Sequence, residues 1–215
     1  GTLPLTGANY FRGKAVVEAG TLQLDGSYGD FDPVTTPAQV FVHAAATFGG
    51  AGTLDGSATI ADGASLTGQS GRRLTVNGDL LLSPGSTINV ALAGASAGPL
   101  FSVGGDLRLD GTLNISASPF GPGQYGPGIY RLFTYGGSLI DGGVTIGALP
   151  PGSTPDQFSV QTGIAGQVNM IRTTMGLGYQ FWDGPNLALY QNGQVNGGGG
   201  TWTANGAGWS DQNDL

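Results

Sequence analysis

The sequence has no cysteine and very little charge. Its 215 residues include only seven basic and 14 acidic side chains, and Glu18, Lys14 and His43 are each the only residue of their type. Without cysteine no disulfide can hold the fold together, so backbone ladders and stacked side chains must do so. Glutamate and lysine are good helix formers, and their near absence favours strands and turns over helices.

The sequence also lacks long apolar runs and clusters of positive charge. The net charge is −7 and the arginines are scattered, so we expect no binding to nucleic acid or to anionic membrane surfaces. No run of about 18 apolar residues could cross a membrane as a helix. The sequence does not begin with methionine or a secretion signal. We therefore expect it to be part of a longer protein, with the export and anchoring elements outside it.

Short repeats run along a chain that contains 42 glycines. GTLPL at Gly1 returns as GTLQL at Gly20, and the stretch Val76–Leu82 returns further along the chain as Val103–Leu109. Thr87–Val90 returns as Thr112–Ile115, at a slightly shorter spacing. Periods of about 19 to 27 residues fall in the range of solenoid coils, and the apolar stretches of three to five residues between Gly, Asp, Pro and Ser indicate short strands.

These repeats predict an all-β fold, a single-stranded right-handed parallel β-helix (solenoid) with irregular loops. In such a fold each coil buries its apolar face only by stacking on its neighbours. The repeated stretches Val76–Leu82 and Val103–Leu109 should be adjacent parallel strands on one face, with Gly78 and Gly105 at equivalent corners. We expect eight side chains to point inward: Leu80, Leu82, Ile88, Val90, Leu107, Leu109, Leu113 and Ile115.

Three proline-rich stretches interrupt the pattern and are predicted to be loops, because proline cannot donate to a ladder: Phe31–Pro37, Pro119–Pro127 and Pro150–Pro155. Aromatic residues become denser near the C-terminus, with a weak boundary between Met175 and Tyr190. We therefore divide the chain into β-solenoid coils over residues 1–178 and an aromatic- and Gly-rich start of a further, truncated segment over residues 179–215.

The N-terminal stretch Gly1–Ser27 carries a recognisable family pattern. Leu5, Gly7, Asn9 and Gly13, followed by Ala19–Leu24, resemble the autotransporter-associated β-strand repeat, although the aromatic residues Tyr10 and Phe11 are displaced from their usual place. Later stretches resemble further coils of an autotransporter passenger region. The resemblance implies a secreted passenger β-helix on the bacterial cell surface, held through the outer membrane. The family's membrane β-barrel would lie outside this sequence.

Two short motifs resemble catalytic or nucleotide-binding signatures but lack the necessary context. Gly94–Gly98 fits G-x-S-x-G around Ser96, yet no helix pattern follows, and His43 precedes the serine, the wrong order for a hydrolase of that fold. Gly121–Gly126 fits G-x-G-x-x-G, but the flanking prolines disfavour the helix that would hold a phosphate. We expect no enzymatic activity and no cofactor.

Metal sites are also not expected. His43 has no other histidine to share a metal, and a surface or strand position is the simpler interpretation. Gly49–Asp55 approaches the calcium-binding β-roll repeat, but its aspartate comes one place late and the motif does not recur in tandem. The remaining aspartates mostly lie in turns, where their side chains bond the local backbone.

The aromatic residues near the C-terminus are the only candidate ligand contacts. They can stack on sugars or fill pockets of a partner, and they can equally fill the interior of an irregular coil. The candidates are Tyr179, Trp182, Tyr190, Trp202 and Trp209.

Two functions follow as hypotheses. The first is a surface-exposed autotransporter passenger, exported by type V secretion, which acts as a structural stalk and as an adhesin or self-association module. Its partners would be host-cell or neighbouring-cell surface molecules, including glycans, or further copies of itself. The alternative is a carbohydrate-active or carbohydrate-binding β-helix protein.

Overall fold

The computed structural model describes residues 1–11, 13–29, 37–95, 98–118, 125–174, 178–201 and 208–214, and within them nearly all regular structure is strand. The strands in chain order are β1 (Thr2–Leu5), β2 (Ala8–Asn9), β3 (Lys14–Val17), β4 (Gly20–Leu24), β5 (Ser27–Tyr28), β6 (Ala38–Val42), β7 (Ala46–Gly50), β8 (Thr53–Leu54), β9 (Gly56–Ile60), β10 (Ser65–Gln69), β11 (Leu74–Val76), β12 (Leu80–Leu82), β13 (Thr87–Leu92), β14 (Phe101–Val103), β15 (Leu107–Ala117), β16 (Gly128–Tyr135), β17 (Leu139–Ile146), β18 (Phe158–Gln161), β19 (Gln167–Arg172), β20 (Phe181–Trp182) and β21 (Trp209–Ser210). Two 3₁₀ turns, Pro155–Gln157 and Leu187–Leu189, are the helical segments of these described ranges.

Three stacks of parallel strands wind around one axis. The first stack contains β1, β4, β7, β10 and β13, the second contains β2, β5, β8, β11, β14 and β16, and the third contains β3, β6, β9 and β12. The long strands β15 and β17 pass from the third stack into the first. Each strand pairs in parallel with the strand one coil away, which is the arrangement of a parallel β-helix. The predicted fold class is confirmed.

Coil length varies more than the repeats indicated. Among the paired strands of the described ranges, the shortest coil leads from Phe48 to its partner Leu66, and the longest leads from Leu113 to Ile146. The extra residues lie in the connections between strands. Register within the stacks is nevertheless kept, because each strand must present its apolar side chains to the same interior.

The repeated stretches confirm the predicted register and correct the predicted face. Leu74–Val76 pairs with Phe101–Val103, and Leu80 pairs with Leu107. Each stretch, however, crosses a corner and contributes strands to two stacks, the second and the third, rather than one continuous strand on one face. Gly78 and Gly105 lie at this corner in their coils, and a Cβ at either position would overlap atoms of the coil below.

The interior is a continuous apolar column. All eight side chains predicted to point inward are buried, and none is more than 3% exposed. Phe101 and Phe133 stack in the second stack with ring centroids 4.8 Å apart. Burial of this surface is the main favourable contribution to folding.

The C-terminal end of the β-helix departs from the parallel pattern. Strands β18 and β19 pair antiparallel with each other, and β19 pairs antiparallel with β16. A separate two-stranded antiparallel sheet, β20 with β21, follows. Antiparallel strands need only a short connection, whereas a parallel strand needs a whole coil. The coils therefore end here in a hairpin, which the sequence analysis did not anticipate.

Of the three predicted loops, one lies wholly among the described residues. Phe31–Pro37 and Pro119–Pro127 lie largely outside the described residues, whereas Pro150–Pro155 is described and leads through a turn into the first 3₁₀ turn. No helix among the described residues is long and apolar enough to cross a membrane.

Candidate interaction site

The aromatic candidates near the C-terminus are drawn together by the small antiparallel sheet. Trp182 pairs with Trp209 across β20 and β21, and their rings meet edge to face with centroids 5.5 Å apart. The Tyr190 hydroxyl donates to the Gly184 carbonyl oxygen over 3.2 Å, which joins it to the same segment. The structure thus brings three of the five predicted residues into one small unit.

Glycines shape the surroundings of the Trp182 indole. Its Nε1 donates to the Gly198 carbonyl oxygen over 2.8 Å. A Cβ at Gly200 or at Gly208 would lie 2.7 or 2.6 Å from atoms of the indole ring. Backbone can approach a ring this closely only where no side chain intervenes. The glycine-rich stretch therefore lets the chain fold around this tryptophan, which gives it a packing role.

Polar groups hold the same unit together. Asp183 is buried, and its Oδ1 accepts from the Asn196 backbone N–H over 2.6 Å. Asp214 is also buried and accepts from the Asn192 backbone N–H over 2.8 Å. Partial burial, together with the nearby Asp183 and Asp214 carboxylates, raises the pKa of Tyr190.

Hydrogen bonds join this unit to the connection between β18 and β19. The Asn213 Oδ1 accepts from the backbone N–H groups of Thr162 and Gly163, and the Val195 N–H donates to the Gly163 carbonyl oxygen. The predicted division of the chain at residues 178 and 179 is not tested by these contacts and stays a prediction.

Ligand contact by the aromatic residues also stays a prediction. Tyr179 is 39% exposed, the largest value among the described candidates. Trp182, Tyr190 and Trp209 are half-buried, and Trp202 lies outside the described residues.

A second candidate surface lies on the outer side of the first stack, and the sequence analysis missed it. One hydroxyl side chain per coil occupies the same register position there, and each is paired with the next. We call this set the hydroxyl column: Thr2, Thr21, Thr47, Ser65, Thr87, Thr112 and Thr145.

A neighbouring column, two positions further along each strand, carries amides, a hydroxyl and a glycine. Its members in successive coils are Gln23, Gly49, Thr67, Asn89 and Asn114. The Asn114 Nδ2 donates to the Asn89 Oδ1 over 3.0 Å, and the Asn114 Oδ1 accepts from the Ala148 N–H over 2.8 Å. The signal in the sequence was the recurring T-x-N of Thr87–Asn89 and Thr112–Asn114, which aligned strands but was not considered as a surface.

The second of these columns lines a groove of about 670 Å³, to which the hydroxyl column contributes only Thr21. Gly49 gives it depth, because this glycine pairs with the longer Gln23 in one neighbouring coil and with the longer Thr67 in the other. Gly50 has a φ of +130°, and a Cβ there would overlap the Leu24 carbonyl oxygen, so the chain needs glycine at this point.

An ion pair closes one side of the groove. The Arg72 Nη2 lies 2.6 Å from the Asp25 Oδ1 and spans two coils. Burial tends to raise the pKa of Asp25, but hydrogen bonds from Gln23, Arg72 and the Ala51 N–H, with the Arg72 charge, lower it below its usual value of 3.8. Among the described lining residues Arg72 is the one ionisable group, and its charge is compensated by Asp25.

Comparison with known proteins identifies the family. No protein-family model matches the chain. The whole chain aligns, with 39% identity over 232 positions, with the adhesin BmaC autotransporter of Brucella suis biovar 1 (strain 1330). This chain is homologous to a segment of an autotransporter adhesin. The resemblance to an autotransporter passenger, stated from the N-terminal repeat, is confirmed. The chain spans about 6% of the length of that relative.

The structure describes only some of the remaining sequence candidates. His43 lies in the turn after β6, and its Nδ1 is 2.9 Å from the exposed Glu18 carboxylate one coil away. Ser96 and most of Gly121–Gly126 lie outside the described residues. No group of three or more His, Cys, Asp or Glu side chains in the described part of the chain could hold a metal ion.

Replacing Arg72 by glutamine should raise the pKa of Asp25, because the charge and hydrogen bond that lower it are lost. A carboxyl group whose pKa is lower in the folded protein than in the unfolded protein stabilises the fold at pH values above the unfolded-state pKa. This contribution is lost as the pH falls through the folded-state pKa. The loss of stability at neutral pH should be less than about 1 kcal/mol, since the pair is partly exposed, and should shrink at low pH. NMR titration of the Asp25 carboxyl and thermal melts check this. Arg73→Gln, the same change at the next position, should leave Asp25 unchanged; equal shifts in both variants would contradict the assignment.

Proposed function

We propose that this chain is a β-helical part of a surface-exposed autotransporter passenger that serves both as a stalk and as an adhesive module. Homology over the whole chain to a named autotransporter adhesin is the observation that supports it. Such a role implies a position on the bacterial cell surface, anchored through the outer membrane. Its partners are molecules of host or neighbouring cells, or further copies of the same protein. This role requires no enzymatic activity.

The architecture suits both halves of this proposal. Coils that contact only their neighbours make a rod whose length grows with each repeat. Outward-facing side chains at equal heights of successive coils form regular surfaces along that rod, such as the hydroxyl column. The carbohydrate-active alternative finds no support in the comparisons with known proteins.

The test uses bacteria that display the full-length protein. In-frame deletion of the whole segment Gly1–Leu215 should lower adhesion to host cells or the formation of cell aggregates. The matched control replaces the segment with an unrelated β-helix of equal coil number. Adhesion that stays low in the control supports an adhesive surface on this segment, whereas full recovery would reduce its role to that of a spacer. Unchanged adhesion after deletion would contradict the adhesive role.

A further inference from the structure

The groove on the first stack offers a regular set of neutral polar groups. Coils in a β-helix repeat along the axis at about 4.8 Å, the spacing of neighbouring strands. The column that lines the groove, Gln23, Gly49, Thr67, Asn89 and Asn114, therefore presents a hydroxyl or amide group at this interval in every coil except that of Gly49. Hydroxyl and amide side chains can both donate and accept hydrogen bonds. A ligand with its own periodic hydroxyl groups is matched by such a surface.

The charge of the groove limits the class of ligand. Its described lining holds no acidic side chain, and its one basic side chain, Arg72, is already paired with Asp25. Recognition of an anionic chain would call for arginine or lysine side chains free to contact it. The groove therefore favours an uncharged ligand over nucleic acids and acidic polysaccharides.

The backbone of the groove excludes strand addition. The floor belongs to β7, β10 and β13, each paired in parallel on both sides within the first stack. An extended peptide binds a sheet by adding a strand to an open edge, where backbone groups lack partners. The ladder between β7 and β10 runs to Gly49 and Thr67, and the ladder between β10 and β13 runs to Gln69 and Ala91, so most N–H and C=O groups of this floor are already used between coils. A ligand must bind through the side chains, which suits a sugar better than a peptide.

We propose that this groove binds a linear, uncharged glycan chain that lies along the β-helix axis. The chain's hydroxyl groups donate to the side-chain oxygens of Thr67 and Gln69, whose own donors bond the Phe48 carbonyl and the Ser118 hydroxyl, and accept from the Asn89 Nδ2. Its apolar ring faces lie on the glycine and alanine floor. The groove has no aromatic side chain in its described lining, so each sugar unit contributes little and binding depends on several coils acting together. This inference rests on the proposed adhesive function and names the chemical class of its partner.

The test uses the purified chain and defined oligosaccharides. Linear hexamers of glucose, mannose and N-acetylglucosamine are titrated by NMR and calorimetry, with oligogalacturonate and heparin fragments as charged probes. At least one neutral hexamer should bind at millimolar concentration or better and shift the amide signals of β7, β10 and β13. No binding by any neutral hexamer, or stronger binding of the charged probes, would overturn the proposal.

Variants locate the binding in the groove. Ala91→Trp fills the groove from its lining and should abolish binding, whereas Thr59→Trp, on the outer side of the third stack, should leave it intact. Thr67→Val keeps the shape of the side chain and removes its hydroxyl, so binding should weaken about fivefold, the loss expected for one hydrogen bond. Binding that survives Ala91→Trp would place the glycan elsewhere and overturn the proposal.

The outcomes separate this proposal from the adhesive function. Absence of glycan binding by the purified chain overturns the groove proposal and leaves adhesion by another surface intact. Unchanged cell adhesion after deletion of the segment overturns the adhesive function and leaves a positive binding result in the groove valid.

Discussion

Leu107→Asp is expected to unfold the central coils of the β-helix. Leu107 is fully buried and pairs with Leu80 on one side and Leu139 on the other, so its side chain lies between two neighbouring coils in the interior. A carboxylate there would have no partner and no water, which is the costliest kind of substitution. The loss should exceed about 4 kcal/mol, a large fraction of the stability of a typical domain.

Arg108→Asp is the matched control for this prediction. Arg108 is the next residue, lies exposed on the outer side of the same strand and pairs with Leu81 and Ile140, which also face outward. Its replacement should change stability by no more than about 0.5 kcal/mol. Thermal and urea unfolding, followed by circular dichroism, measure both variants. Equal midpoints would mean that the inward and outward assignments of β15 are wrong.

The sequence predicted the coil register well because the register is carried by local repeats. Where two coils share a string, as Thr87–Val90 does with Thr112–Ile115, the strings pair in the structure residue by residue. The two Gly-Thr-Leu strings at Gly1 and Gly20 behave in the same way. Gly52-Thr53-Leu54, by contrast, lies in the second stack and pairs with Ser27–Tyr28 and Thr75–Val76. A short string thus indicates a strand, but it does not say which stack the strand joins.

Gly78 and Gly105 were correctly predicted at corners, but the change of stack at each corner and the antiparallel C-terminal end were harder to predict. The path of the chain at a corner depends on the coil below, as at Gly78, where a Cβ would lie 2.8 Å from the Gly56 carbonyl oxygen, and that is a property of two distant segments. The change from parallel coils to the antiparallel pair β18 and β19 needs no special residue, because a strand has the same alternation in either direction. Neither feature leaves a pattern within a single stretch of sequence.

The two candidate surfaces also differ in whether the sequence alone could predict them. The sequence showed the aromatic residues as a local rise in aromatic content. In the structure Trp182 packs against Trp209 and against nearby glycines. The groove was not visible, since its members come from coils of unequal length. The chain between Gly49 and Thr67 is much shorter than the chain between Gln23 and Gly49, and only the strand pairing aligns the three.

Phe101→Ala should also lower the stability of the protein strongly, because it leaves a cavity in the second stack. Phe101 is buried, stacks on Phe133, and its ring occupies the space beside Gly68, where a Cβ would lie 2.5 Å from the Phe101 Cζ. Removing a buried phenylalanine side chain costs about 3 to 5 kcal/mol. The neighbouring change Ser102→Ala, on the outer side of the same strand, should cost far less.

A second substitution turns this cavity into a test of how the interior is packed. Gly68 pairs with Val90, so a leucine at position 68 would continue an inward-facing aliphatic column into the space that the Phe101 ring now fills. Gly68→Leu alone should destabilise the protein by about 1 to 3 kcal/mol, because it overfills the interior. In the double variant the leucine enters the cavity left by Phe101→Ala. The combined loss measured by urea unfolding should therefore be smaller than the sum of the single losses by at least about 1 kcal/mol. Strictly additive losses would show that the Phe101 ring does not occupy the space beside Gly68, and that the packing between the first and second stacks differs from the arrangement described.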